Sequence, residues 1–142
     1  MPGHHMGLSD RTLLSQVIAP QAVTTGAVNG TVVDMLGWDG IRFEVNVGAI
    51  TGAGTIDGFV ARSAAANMSN ATNITGAALT QVTTGSGVAV IEVWRPQQRY
   101  LRLTLTQAAN TVAFGATATR YRRGGNLPPT QAATQVVRIA EG

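Results

Sequence analysis

The chain contains neither cysteine nor lysine in 142 residues. Without cysteine it has no disulfide staples, no thiol nucleophile and no thiolate metal site of its own, and a cytoplasmic site of synthesis is expected. All ten basic residues are arginine. Codon bias in a GC-rich genome is one reading. The other is selection for interfaces, since the guanidinium pairs bidentately and is less strongly hydrated than an ammonium. Charge of either sign is scarce, at 12% of residues, about half the usual ~25%. The net charge of +3 is too small to imply a nucleic-acid partner. No apolar run reaches the ~20 residues of a membrane span, and the N-terminus lacks the apolar block of a signal peptide. The sequons at Asn29, Asn67, Asn70 and Asn73 are therefore read as a product of Thr and Asn richness.

The hydrophobic fraction is 44%, enough for one folded domain with its own core. Much of that apolar content alternates with polar residues. Ile41, Phe43, Val45 and Val47 face one way, and Arg42, Glu44 and Asn46 the other. Leu101, Leu103 and Leu105 alternate with Arg102 and Thr104, and Val112, Phe114, Ala116 and Ala118 share one face. A period of two marks half-buried antiparallel strands. Further strands are expected at 31–35, 56–62, 79–83 and 88–95, separated by Gly-rich and Pro-containing turns, with an edge strand at 136–139. That gives about eight strands at sandwich spacing. The fold expected is all-β, a single antiparallel β-sandwich of jelly-roll type. An irregular N-terminal arm would cover 1–14, the sandwich 15–122 and a polar, Pro-broken tail 123–142. Ser9 to Ser15 suits one helical turn closed by Pro20, and 63–76 reads as a long loop. Phe43, Val45, Val47, Ile91, Val93, Leu101, Leu103, Leu105 and Phe114 should form the core.

Catalytic groups are sparse. Both histidines, His4 and His5, stand in the N-terminal arm. They are adjacent, with no third ligand nearby, and make neither a general base nor a metal site. Among the carboxylates only Glu44 and Glu92 sit on strands that could face each other, and salt bridges to Arg42 or Arg102 explain them more simply. The glycines at 48, 52, 54 and 58 lack the following helix of a phosphate loop and read as a hairpin. No enzyme activity, cofactor or metal is expected. Arg95, Arg99 and Arg102 flank one hairpin, Arg120, Arg122 and Arg123 end the last long strand, and Tyr100 and Tyr121 lie among them. Single-stranded nucleic acid, an acidic protein partner and a plain solvated face are three readings of that mixture. Trp38 and Trp94 are expected in the core rather than on a sugar-stacking surface.

Four stretches resemble a known family: Val17-Ile18-Ala19-Pro20; Gly37-Trp38-Asp39-Gly40-Ile41-Arg42-Phe43 leading to Val47-Gly48-Ala49-Ile50-Thr51-Gly52; Gln98-Arg99-Tyr100-Leu101-Arg102-Leu103; and the Ala/Val/Thr-rich closing strand with its basic tail. Together they resemble the capsid decoration, or cement, proteins encoded beside the major capsid protein in many tailed bacteriophages. The likeness covers roughly residues 15 to 122. It implies a jelly-roll-like fold, a homo-oligomer (dimer or trimer) and attachment to the major capsid protein across capsomers. The location implied is the outer surface of the virion, after synthesis in the host cytoplasm. It transfers no contact residue. From the residues alone, Arg99, Arg102, Arg120, Arg122 and Arg123 are the candidate partner contacts. The alternative function is a carbohydrate-binding or other adhesion module, including a phage tail component.

Overall fold

The structure, a computed structural model, describes Leu8, residues 11–122 and residues 135–141. Its strands are β1 (Thr12–Val23), β2 (Gly26–Asn29), β3 (Val33–Asp34), β4 (Gly40–Ile50), β5 (Thr55–Ser63), β6 (Thr72–Val82), β7 (Gly87–Trp94), β8 (Tyr100–Ala108), β9 (Val112–Tyr121) and β10 (Gln135–Ala140). They form two sheets, ordered β1-β9-β4-β7-β10 and β2-β8-β5-β6, with β3 also paired to β8. Because β2 and β3 lie along the same neighbour, they act as one interrupted strand. The first nine elements therefore make an eight-stranded roll, with sheets 1-9-4-7 and 2-8-5-6 closed by two Greek keys. The expected all-β sandwich of jelly-roll type is the fold observed. The added strand β10 runs parallel to β7, the departure from an all-antiparallel plan.

Alternation is what builds the roll. Ile41, Phe43 and Val45 on β4 and Leu101, Leu103 and Leu105 on β8 are all fully buried between the sheets. Every residue expected in the core is buried, Val47 and Phe114 with a few per cent of their surface left. The glycines at 52 and 54 lie in the β4–β5 turn, where Gly54 donates its N–H to Thr51 O at 3.0 Å and Gly52 takes φ +54°. The turn is not the hairpin the sequence suggested: β4 and β5 pair with different neighbours in different sheets, so the glycines let the chain cross from one sheet to the other.

Local expectations fail where bulges disturb the period. Of the expected helical turn at 9–15, residues 9 and 10 lie outside the described residues, and Arg11 N–H and Thr12 Oγ1 both donate to Leu8 O. Thr12 to Ser15 are already β1, so this strand crosses the expected arm boundary at residue 14, and Pro20 does not end it. The chain tolerates Pro20 because β1 is an edge strand and its register shifts between Ile18 and Gln21. Val33–Asp34 alone of the run 31–35 pairs as a strand. The loop expected to reach residue 76 stops before Thr72, where β6 begins. The two tryptophans are half-buried and sit at one end of the sandwich, outside the central core. Arg123, His4 and His5, together with the expected order of the 123–134 tail, lie outside the described residues.

Candidate functional site

Three loops come to the same end of the roll, beside the close of β9: 64–71 closes the β5–β6 hairpin, while 35–39 and 95–99 cross between the sheets, so Arg95 and Arg99 flank a crossing and not the expected hairpin. Inward positions at this end carry arginine instead of aliphatic residues. Arg120 continues the inward series of Ala116 and Ala118 and is partly buried, while Arg99 precedes that of Leu101 and Leu103 by parity and stands exposed at the mouth of the roll. Both meet Asp34. Arg99 donates Nε to Asp34 Oδ1 and Nη2 to Oδ2, each at 2.8 Å, while Arg120 Nη1 donates to the Asp34 carbonyl at 2.9 Å. Leu36 N–H adds a third bond to the carboxylate at 3.0 Å. The Arg99 contact and then the Leu36 amide hold the Asp34 carboxyl down at about 2, against an ordinary 3.8. Bidentate pairing of this kind fixes geometry as well as charge.

The cations also cover aromatic faces. The guanidinium carbons of Arg120 and Arg122 lie 5.6 and 4.9 Å from the Trp38 ring centre, Arg95 lies 5.5 Å from that of Trp94, and Arg99 lies 5.1 Å from that of Tyr100. These are cation–π distances. Loop-to-loop bonds fix the frame: Asp39 N–H to Tyr121 O at 3.0 Å, Arg95 N–H to Asp39 O at 2.8 Å and Trp38 N–H to Met35 O at 3.0 Å. Arg95 holds a left-handed φ of +50° immediately before Pro96, a placement that costs about 1–3 kcal/mol and persists only where the surroundings fix it. Loops 35–39 and 95–99 form the walls of an open trough, and Leu36 stands over it with 68% of its surface exposed.

Of the five candidate contacts, Arg99, Arg120 and Arg122 come together here. Arg102 does not. It points outward from β8, opposite Ala61 of β5, on the outer face of its sheet. Asp34 and Leu36 join the site without having been singled out from the sequence; Arg95, named with the basic mixture but not among the five candidates, and Trp38, expected in the core, join it as well. The signal available was their clustering in two short segments that bracket turns. On the outer face of the other sheet, Arg42 Nε lies 3.0 Å from Glu44 Oε1 and Arg138 Nε lies 3.7 Å from Glu92 Oε1. The carboxylates are thus engaged in ion pairs, as expected for Arg42. Among the described residues no three His, Cys, Asp or Glu side chains group to hold a metal ion.

No family model and no curated protein matches the chain. Solved structures do. The structure of PBSX exported protein XepA superposes with a TM-score of 0.61 at 15% identity, over 85% of this chain and 41% of that one. That of infectious bursal disease virus, Gt strain, gives a TM-score of 0.45 at 11% identity, over 90% of this chain and 38% of that one. The chain thus spans about two fifths of the length of the first of these. At such identity the XepA likeness is one of fold.

Proposed function

We propose that the chain is a virion structural protein, a capsid decoration protein that binds the outer surface of a phage head and ties neighbouring capsomers together. The observation that carries the reading is the end of the roll where Arg120 and Arg122 lie on Trp38 beside exposed Leu36. Arginine, tryptophan and an exposed aliphatic in one pre-ordered patch are the composition of a protein-binding surface. The four sequence stretches that resemble decoration proteins support the same role. The partner is then the major capsid protein through acidic groups. The protein works as a homo-oligomer, without enzymatic action, cofactor or nucleic acid, and its many weak contacts are repeated by capsid symmetry. A protein that binds only the assembled shell stabilises it by mass action. A carbohydrate-binding role is less well served, because guanidinium groups already lie over the Trp38 ring that a sugar would need.

The test is sedimentation with empty phage heads assembled from a major capsid protein. Saturable co-sedimentation, absent with unassembled capsid protein and accompanied by a rise in the melting temperature of the heads, is the expected result. A chain that stays in the supernatant at every concentration overturns the reading.

A further inference from the structure

We propose that β10 is an exchanged arm, the Gln135–Ala140 strand of one copy completing the sheet of a second copy of this chain. The proposal is independent of what the assembled protein binds.

The argument starts from strand direction. β9 is antiparallel to β4 and β4 to β7, while β10 is parallel to β7. Strands β9 and β10 therefore point the same way in one sheet, with β4 and β7 between them. Joining them within one copy requires a crossover that returns about half the length of β4 and passes two strands. Such connections are ordinarily made by a helix packed on the sheet. Here only residues 123–134 are available, and they include two glycines, two prolines and one large aliphatic, Leu127.

The lengths permit a different path. Tyr121 lies opposite Gly40, and Ala89, the partner of Gln135, lies opposite Val45. The start of β10 is thus five residues back along the sheet and three strands across, a separation of about 22 Å. The thirteen steps from Arg122 to Gln135 reach about 45 Å when extended. The chain leaving β9 has twice the reach its own sheet demands, enough to arrive at a neighbour.

The seat is also indifferent to the origin of the strand. Its contacts are made between 135–141 and residues of β5 to β7 and the following loop. Val137 and Ile139 pack onto the core edge. Ile139 Cδ1 lies 3.0 Å from where a Cβ on Gly76 would stand, so the glycine makes the hollow. Glu141, whose side chain is only 7% exposed, pairs with Arg62 and accepts the Gln97 N–H at 3.1 Å, and its own N–H donates to Trp94 O at 3.0 Å. A keyed terminal strand on a long connection is the arrangement in which exchange between identical copies costs least.

The experiment exploits the absence of native cysteine. Two full-length variants, Glu92→Cys and Arg138→Cys, are co-expressed, oxidised and run on a non-reducing denaturing gel. These positions are register partners on one face, and neighbouring strands lie within disulfide range. Exchange predicts a mixed disulfide dimer, identified by mass, in many-fold excess over the dimers either variant forms alone. The double variant should give covalent dimers or longer ladders. A double variant that oxidises wholly to an internally bridged monomer, or fails to oxidise, overturns the proposal. So does a parent chain that light scattering finds monomeric at every concentration. None of these readouts involves a phage head, so failure here leaves the decoration reading to its own test.

Discussion

Trp94 and Tyr121 stack across Gly40, with ring centroids 6.0 Å apart and planes 13° from parallel. Gly40 is the register partner of both, on β4 between β7 and β9. A Cβ at that position would stand 2.4 Å from Cζ and Oη of Tyr121. The glycine is there because the Tyr121 ring occupies the space a side chain would need. Gly40→Val should displace the tyrosine ring, lose the near-UV circular dichroism of the stacked pair, and destabilise by about 1–3 kcal/mol through overpacking. An unchanged aromatic spectrum would show that the rings do not depend on the glycine.

Two neighbours on β8 should respond oppositely to truncation of their polarity or bulk. Leu103 is wholly buried, and Leu103→Ala should cost about 2–5 kcal/mol in denaturant unfolding. Gln107 is 1% exposed on the same inward face, and both atoms of its amide lack a hydrogen-bond partner among the described residues. An unsatisfied buried polar group costs about 1–3 kcal/mol, so Gln107→Leu should raise stability by a similar amount. A loss of stability in that variant would show that the amide is satisfied.

The contrast between β4 and β6 explains how much of this fold could be read in advance. Along β4 the buried residues Ile41, Phe43, Val45 and Val47 recur every second position, and the strand is plain in the sequence. Along β6 they are Ile74, Ala77, Leu79 and Val82, because the pairing with β5 shifts twice. Intervals of three, two and three have no strand period, and the rest of that strand is Ala, Thr, Asn, Gln and Gly. β1 was hidden in the same way by its two shifts and Pro20. The site was half legible. Inward parity places Arg99 and Arg120 at one end of the sandwich once the strands are known. Their shared acceptor, Asp34, sits in a two-residue strand that no periodicity reveals.

Acid should weaken the Arg99–Asp34 contact in a defined range. The carboxyl titrates near 2 in the folded chain instead of the ordinary 3.8. A lowered folded value means that the native state favours the ionised form. The contribution is therefore complete above 3.8 and disappears as the pH falls through about 2. Both partners are more than two fifths exposed, so solvent and salt keep the effect small. Asp34→Asn should flatten the melting-temperature profile over that interval. A profile identical to that of the parent would remove Asp34 from the acid response.

Alkali should act through Tyr121. Burial first, and the neighbouring Glu92 carboxylate second, raise its hydroxyl well above the ordinary 10.0. The folded chain thus favours the neutral phenol. Its contribution is intact below pH 10 and declines as the pH rises beyond that value, where the unfolded chain ionises first. Tyr121→Phe, which has no proton to lose, should hold its melting temperature further into alkali than the parent. Equal alkaline losses in both would refute this assignment.

The arginine end should separate fold stability from attachment. Arg122 is exposed and its guanidinium lies on Trp38, an arrangement worth about 0.5–1 kcal/mol at an exposed site. Arg122→Ala should therefore remain folded, with a stability loss of no more than about 1 kcal/mol. If this end meets acidic capsid groups, the same variant should leave heads faster and at lower salt, because rim charges act through screened attraction. Arg122→Lys keeps the charge and loses the planar fork, so partial rescue would assign the effect to charge and no rescue would assign it to stacking. Arg99→Ala should be more damaging to attachment, since it removes one cation and also exposes the Asp34 carboxylate to a negative partner. Trp38→Ala should weaken retention by releasing both Arg120 and Arg122 from their platform. Heads that retain all of these variants as firmly as the parent would exclude this end of the roll as the attachment surface. The outer face of the β2-β8-β5-β6 sheet, where Arg102 stands, would then be the surface to test.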